Sequence, residues 1–319
     1  KKLIKFAKIA GADAVKIQTY TADTITLNSK SKDFKIKANN PWSNYKYLWN
    51  LYRKAQTPFE WTKILFNEAK KNKIKIFSSV FDETSVDELE KLNCPIYKVA
   101  SPEINHIPLL KKLAKTKKPI IISTGLADKT DLNLAVKTLK FYGSKNLTIL
   151  KCTSEYPSKY KDLNLRTMVD YKKKYNCDVG FSDHTKDNLS SIVAVANGAS
   201  VIEKHMYLKS QKSVDSFFSL DQLQFKNFVK DLRNVEKILG AVNYSIIPKK
   251  SKSIDGKRSI YASKNILKGE KITAKNIKVV RPRFGLHPKY FFKILNKKSK
   301  KDILFGERLS FKKIKNDFK

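Results

Sequence analysis

The sequence predicts an α/β chain: a (β/α)8 TIM barrel short of its first strand, followed by a small second domain. Two observations carry that reading. Seven apolar runs, near residues 14, 74, 96, 119, 147, 178 and 201, alternate with segments of helical period, the pattern of βα units that bury a parallel sheet on both faces. Six of those runs end in polar, chemistry-ready residues, which suits a closed ring whose strand ends meet on one rim. An open seven-stranded parallel sheet is the second choice, and its single switch-point crevice uses fewer strand ends.

KKLIKFAKIAG opens the chain as an amphipathic helix stopped at Gly11. A helix ahead of the first strand reads as the partner of an earlier strand, so the sequence is expected to lack roughly one strand and its loop from its natural start. AVKIQTY, residues 14–20, is a buried strand interrupted by Lys16 and Gln18, which point the same way by period two. A core strand keeps such residues only where they have partners or a ligand. Residues 21–50 are polar and aromatic and exceed the usual βα loop length, which makes them a candidate lid. In TPFEW, Thr57 is the expected N-cap, with Pro58 in the first turn and Glu60 at the third position, of a helix reaching about Asn72. IKIFSSVF is the next strand, and Asp82 caps a helix that ends near Asn93.

IYKVASPE, residues 96–103, places Lys98 in a strand and Ser101 and Glu103 at its mouth. His106 begins the helix of HIPLLKKLAK and reads as structural. PIIISTG, residues 119–125, ends in Ser123, Thr124 and Gly125, a small-residue turn suited to close approach by a phosphate. A helix over DLNLAVKTLKFYG leads to LTILKCTSEYP, a strand ending in Thr153, Ser154, Glu155 and Tyr156, and residues 165–175 are helical.

DVGFSDH and SVIEKHMYL then read as consecutive strands, each delivering a histidine, His184 and His205, near its C-terminal end. Imidazoles at the same station of neighbouring strands can share a metal ion, with carboxylates and water completing the shell. Asp183 is expected to tune His184. Glu203 and Lys204 alternate in direction, and Glu203 is the one expected to face the site with His205. A loop over 213–220 carries Asp215, Ser219 with Gln222 forms an expected capping box, and the following helix ends at Gly240. The boundaries expected are a barrel over 1–240, a basic linker over 241–257 and a compact domain over 258–319, with two similar glycine turns, LKGEKI and LFGERL. His287, in the GLHP loop of that domain, reads as a surface or interface residue.

The formal charge is +37, but only seven of the 66 basic residues are arginine, and the lysines are spread through every helix and loop. Nucleic-acid binding asks for a stripe or tail of basic charge, so the lysines read as solvated faces and no specific nucleic acid is expected. Interior positive charge for a phosphorylated substrate stays open. Cys94, Cys152 and Cys177 are odd in number and beside apolar runs, which reads as free thiols in a reducing compartment. No apolar run approaches a membrane span, and a cytoplasmic protein without membrane attachment is expected.

Taken together in order and spacing, VKIQTYTADTITLNS, TPFEW, YKVASPE, ISTG, KCTSEYP, GFSDHT and VIEKH closely resemble the bacterial sialic acid synthase family, and within it the pseudaminic acid synthase branch. The resemblance extends over essentially the whole chain, because the C-terminal domain is similar to the antifreeze-like (SAF) domain of those enzymes. It implies condensation of phosphoenolpyruvate with the open-chain aldehyde of an N-acetylated sugar, with loss of phosphate and formation of a nine-carbon 2-keto acid. It further implies that His184 and His205 bind a divalent ion, manganese first and magnesium or cobalt as alternatives. Lys16 and Lys98 would hold phosphoenolpyruvate together with the hydroxyls of Ser79, Ser101, Ser123 and Ser182. Ser154 joins that set, and as the CTS form it points to the pseudaminic branch. Tyr156 falls on the family tyrosine that shapes the sugar site, and Glu103 and Asp215 are the candidates for moving protons or orienting water.

Arg281 matches an arginine that reaches into a second subunit, which implies a homodimer in which each SAF domain covers the other's barrel. The family's first strand, with its acidic residue and asparagine-histidine-glycine loop, has no counterpart here, and Met206 and the QKS loop also depart from the pattern. N-acetylneuraminate and legionaminate synthesis are the alternatives within the family. A metal-dependent aldolase and a basic nucleic-acid-binding protein are the alternatives outside it.

Overall fold

The structure, a computed structural model, describes residues 1–245 and 255–315. It divides into two units, Lys1–Gly240 and Ala241–Lys319. Residues 246–254, most of the expected linker, and residues 316–319 lie outside the described residues.

Seven strands form the sheet of the larger unit: β1 (Ala14–Thr19), β2 (Lys75–Val80), β3 (Tyr97–Val99), β4 (Ile120–Ser123), β5 (Leu147–Cys152), β6 (Asp178–Asp183) and β7 (Val201–Lys204). They pair in chain order and every pairing is parallel. Ten helices accompany them: α1 (Lys2–Ala10), α2 (Ala22–Ile25), α3 (Leu48–Ala55), α4 (Phe59–Lys71), α5 (Glu83–Glu90), α6 (Ile107–Lys115), α7 (Lys129–Phe141), α8 (Arg166–Tyr175), α9 (Leu189–Ala196) and α10 (Gln222–Leu239). The sheet curls far enough for Lys16 on β1 to reach Glu203 on β7, Nζ to Oε1 3.1 Å. This is the TIM-barrel-like α/β fold expected, with β1 and β7 as the half-buried outer members of the curl. Helices α1 and α10 pack together across those two strands through Ala10, Phe225 and Val229, and Arg233 on α10 binds Asp13 just before β1 at 2.5 Å.

Alternation along the strands sorts the chemistry. Val80, Tyr97, Val99, Ile120, Ile122 and Ile149 point outward and are fully buried beneath the helices. Lys16, Gln18, Ser79, Lys98, Ser123, Cys152, Ser182 and Glu203 fall on the opposite, interior parity. The register agrees: Ser79 lies beside Lys98, Cys152 beside Ser182, and Ser182 beside Glu203. At Gly180, an added Cβ would lie 2.2 Å from the carbonyl oxygen of Val201, so only glycine lets β6 and β7 approach this closely.

Several local expectations are corrected. Thr57 does not cap α4: Pro58 holds the N-cap position and no side chain caps that end. The capping box of α10 is Asp221 with Gln224, because Asp221 accepts from Gln224 N at 3.0 Å and Gln224 Oε1 accepts from Asp221 N. Ser219 instead donates to the carbonyl of Asp215. β7 stops at Lys204, and the 96–103 run keeps only three strand residues before Ser101–Asn105 turns as a 3-10 helix. Asp82 does cap α5, accepting from Thr84 N and Ser85 N. His106 is structural as read, its Nδ1 accepting from Leu109 N.

The smaller unit is held by an antiparallel pair, β8 (Ser259–Ala262) with β9 (Ile277–Val280), and a short helix, α11 (Phe291–Ile294). Its core is almost all isoleucine: Ile260, Ile266, Ile272, Ile277, Ile294, Ile303 and Ile314 with Ala262 and Leu309. The two glycine turns are built alike. Gly269 and Gly306 have φ of 87° and 76°, where glycine has no steric cost. The following Glu270 and Glu307 each accept from the backbone N–H three residues back, at Leu267 and Leu304.

Candidate active site

Four strands meet at one interior point, and three of them bring charge. Glu203 Oε1 lies 3.1 Å from Lys16 Nζ, and Oε2 lies 3.4 Å from Lys98 Nζ. Ser182 Oγ donates to Oε1 at 2.9 Å. The Lys98 side chain is only 2% exposed, and burial pulls its pKa below the usual lysine value against the opposing pull of Glu203. Burial pushes the Glu203 carboxyl up, but Lys16 and Lys98 outweigh it and hold the group well below the ordinary carboxylate range. Here the burial that would disfavour a lone carboxylate is outweighed because two lysine side chains face it.

Beside this triad lies a set of small polar groups with spare hydrogen-bonding capacity. The hydroxyls of Ser79, Ser123 and Ser154 and the Oε2 of Glu103 are buried without a hydrogen-bond partner. Buried polar groups are rarely left so, and a cluster of them is the mark of a cradle made for a polar ligand. Ser101 Oγ accepts from Gly125 N at 2.8 Å. A Cβ at Gly125 would lie 2.2 Å from Ser154 Oγ and 3.0 Å from both Cys152 Sγ and Ser101 Oγ, so a side chain there would fill the cradle. Burial pushes the Glu103 carboxyl up to about 7, against a weaker lowering from Lys98.

The two histidines stand at the adjacent rim with ring centroids 5.4 Å apart. His184 is 5% exposed and its Nδ1 lies 3.0 Å from the carbonyl oxygen of Thr153. A carbonyl only accepts, so Nδ1 carries the hydrogen and Nε2 is the nitrogen left to ligate a metal; burial alone would lower the ring's pKa, but the contact with Cys152 raises it. Burial and the nearby Lys16 push the His205 pKa well below the imidazole range, which keeps that ring neutral. Asp215 Oδ2 is 3.9 Å from His205 Nδ1, and burial raises its pKa. Among the described residues no three His, Cys, Asp or Glu side chains come close enough together to form a ready-made metal cluster. The donors the protein offers here are the imidazole nitrogens of His184 and His205 with the Asp215 carboxylate at the margin, a set that fits a divalent ion completed by oxygen ligands. Cys152 Sγ lies 3.9 Å from His184 Nδ1; burial alone would raise the thiol, but the contact with His184 brings it down to about 7.

An aromatic roof covers the histidines. The Tyr156 ring lies 4.5 Å from His184 and 4.8 Å from Phe218. Phe218 lies 4.9 Å from His205. Trp42, from the segment expected as a lid, packs on Tyr156 and Phe217 at 5.6 and 5.8 Å. Its Nε1 donates to the carbonyl of Val214 at 3.0 Å, tying the lid to the loop that carries Asp215.

Asp183 is corrected. It does not touch His184, because adjacent residues of a strand point to opposite faces. It points outward to Lys204 at 3.0 Å and accepts from Thr185, Ser190 and Ser191. Arg281 is an exposed residue of the smaller unit. Trp42 and Phe218 were not singled out from the sequence, and their pairing is long-range.

Residues 3–244 match the NeuB family and residues 257–315 the SAF domain. The chain belongs to the NeuB family. It is 46% identical over 309 residues to the pseudaminic acid synthase of Campylobacter jejuni, covering 97% of this chain and 90% of that one. It is 43% identical to the pseudaminic acid synthase of Helicobacter pylori, covering 97% and 91%. Among solved structures, a putative spore coat polysaccharide biosynthesis protein E from Chromobacterium violaceum superposes with a TM-score of 0.76 at 25% identity, covering 99% of this chain and 94% of that one. An N-acetylneuraminic acid synthetase from Leptospira borgpetersenii gives 0.68 at 27% identity, covering 79% and 83%. In this NeuB chain the matched region contains the Lys16–Glu203–Lys98 triad, the serine cradle and the histidine pair.

Proposed function

We infer that this chain catalyses the pseudaminic acid synthase reaction. It condenses phosphoenolpyruvate with the open-chain aldehyde of 2,4-diacetamido-2,4,6-trideoxy-L-altrose and releases phosphate and a nine-carbon 2-keto acid. The observation that carries the reading is the juxtaposition of two lysines and partnerless buried hydroxyls with a pair of imidazoles at one rim. A carboxylate-plus-phosphate substrate needs cationic and hydroxyl donors of this kind, and an aldehyde needs an electrophilic partner beside them. The choice of sugar rests on the 46% and 43% identity to pseudaminic acid synthases, against 35% to an N,N'-diacetyllegionaminic acid synthase of Campylobacter jejuni.

The residues divide the work. Lys16 and Lys98, with Ser79, Ser101, Ser123, Ser154 and Ser182, bind and orient phosphoenolpyruvate. His184 and His205 would hold a divalent ion, manganese before magnesium or cobalt. When bound, that ion supplies Lewis-acid polarisation of the sugar aldehyde. Tyr156 and the roof around it shape the sugar site and exclude water. In the condensation, C3 of phosphoenolpyruvate bonds to the aldehyde carbon, whose oxygen gains a proton to become a hydroxyl. Water adds to C2 and loses one proton, and as the C2–O bond to phosphate breaks the hydroxyl left on C2 gives up its proton to the departing phosphate and becomes the ketone. Glu103, protonated in its buried position, is suited to give a proton, and Asp215 to take one or orient the water. Arg281 contacts the substrate's acyl group from a second subunit of a homodimer. A cytoplasmic location fits the three free cysteines and the supply of phosphoenolpyruvate.

Phosphate release tests the reading: full-length protein, phosphoenolpyruvate and manganese are incubated in parallel with the altrose derivative, N-acetylmannosamine and the legionaminate precursor sugar. Release with the altrose alone is expected. Release only with another sugar would reassign the branch, and release with none would sink the synthase reading. H184A and H205A should each abolish release and weaken manganese binding measured by electron paramagnetic resonance.

A further inference from the structure

Glu203 draws its partners from three other strands, Lys16 on β1, Lys98 on β3 and Ser182 on β6. It therefore occupies the position between the two lysines where a bound anion would bridge them. Its side chain is 13% exposed, against 2% for Lys98, so the carboxylate lies on the more open side of the deeper lysine. Without a counter-charge, Lys98 would sit in a dry interior as an isolated cation.

We propose that Glu203 is a resident counter-ion, which holds Lys16 and Lys98 charged and aimed while the site is empty and competes with incoming anions for them. Anion binding then becomes an exchange of lysine contacts in place of a simple addition to two free cations. The proposal rests on the reading of this site as the phosphoenolpyruvate site. Its consequence falls on substrate and product alike, because two lysines and one carboxylate leave a single net positive charge for either phosphoenolpyruvate or inorganic phosphate. The exchange gives up affinity for the substrate and gains release of the phosphate that the reaction leaves behind. A glutamine at this position keeps the shape and the Ser182 hydrogen bond and removes only the charge.

The experiment is calorimetric titration of inorganic phosphate, and separately of phosphoenolpyruvate, into the full chain as wild type, E203Q and E203D, at one ionic strength and without sugar. E203Q is expected to bind both anions about tenfold more tightly and E203D to bind them as wild type does. In turnover, phosphate should become a correspondingly stronger competitor of phosphoenolpyruvate in E203Q while kcat falls. Unchanged or weaker anion binding by E203Q would overturn the proposal. If E203Q does not fold, E203D decides, and anion binding by E203D weaker than that of the wild type overturns the proposal. If the wild-type chain itself binds neither anion, the phosphoenolpyruvate reading fails, a result distinct from a wild type that binds and an E203Q that does not bind better.

Discussion

Asp183 and Lys204 form an ion pair 3.0 Å long on the outer face of β6 and β7, with side chains 0% and 2% exposed, and the next residue along each strand is a histidine of the site. The pair clamps the two strand ends from behind. Asp183 also accepts from Thr185 and from Ser190 and Ser191 on α9, so each of its oxygens is satisfied. D183N leaves Lys204 buried without its counter-charge and should cost about 3–5 kcal/mol of stability, read by urea denaturation. Manganese affinity should fall with it, whereas phosphoenolpyruvate affinity should change little. A variant as stable as wild type would refute the clamp.

Glu103 gives a pH dependence. Burial raises its folded-state pKa to about 7 from an ordinary 4.5, so the folded chain holds this proton more tightly than the unfolded chain does. Stability from this group therefore falls as pH rises from about 4.5 through about 7, by roughly 3 kcal/mol at most. E103Q should flatten that part of the profile and be the more stable form above pH 7. Denaturation midpoints measured across pH 5–8 for both chains check the sign. An identical slope in E103Q would show that Glu103 titrates normally.

Gly125 should tolerate no side chain. The Cβ of G125A would collide with Ser154 Oγ, and with Cys152 and Ser101 behind it, so those side chains must shift at a cost of about 1–3 kcal/mol. The cradle of hydroxyls moves with them, and phosphoenolpyruvate binding should drop by an order of magnitude or more. Calorimetric titration of phosphoenolpyruvate into G125A measures it.

The proposed role of Arg281 in a second subunit predicts complementation. R281A and H184A chains should each be inactive alone. Mixed one to one and allowed to exchange, they should recover about a quarter of wild-type phosphate release, because half the dimers then carry one site with both residues intact. No recovery in a mixture shown to exchange subunits would place Arg281 outside its neighbour's site.

The strands and their interior parity were legible because polar residues in apolar runs are costly unless they serve something. Lys16, Gln18 and Lys98 announced themselves in that way, and so did the paired histidines. Period two also picked Glu203 over Lys204 for the interior, but its place between two lysines was not legible, because those lysines lie on strands far away in the chain. The same rule sends Asp183, as the neighbour of His184, to the opposite face, where it meets Lys204. Trp42 was visible as part of a lid, yet its landing place beside Tyr156 and Val214 depends on how two distant loops meet. The caps slipped by one or two residues at Thr57 and Ser219, where several candidate cap residues stand close together and the tertiary path of the chain chooses among them.

The pairing of Ser182 with Glu203 and of Asp183 with Lys204 has a consequence for how the sheet assembles. If β7 turned over by a single position, Lys204 would enter the interior beside Lys16 and Lys98, and Glu203 would be set against Asp183 on the outside. Both faces would then hold like charges in a dry setting. A slipped strand ordinarily exchanges apolar for polar residues; here it would also exchange attraction for repulsion on two faces at once. The charges on β6 and β7 thus make a register error costly in the strand that leads to His205.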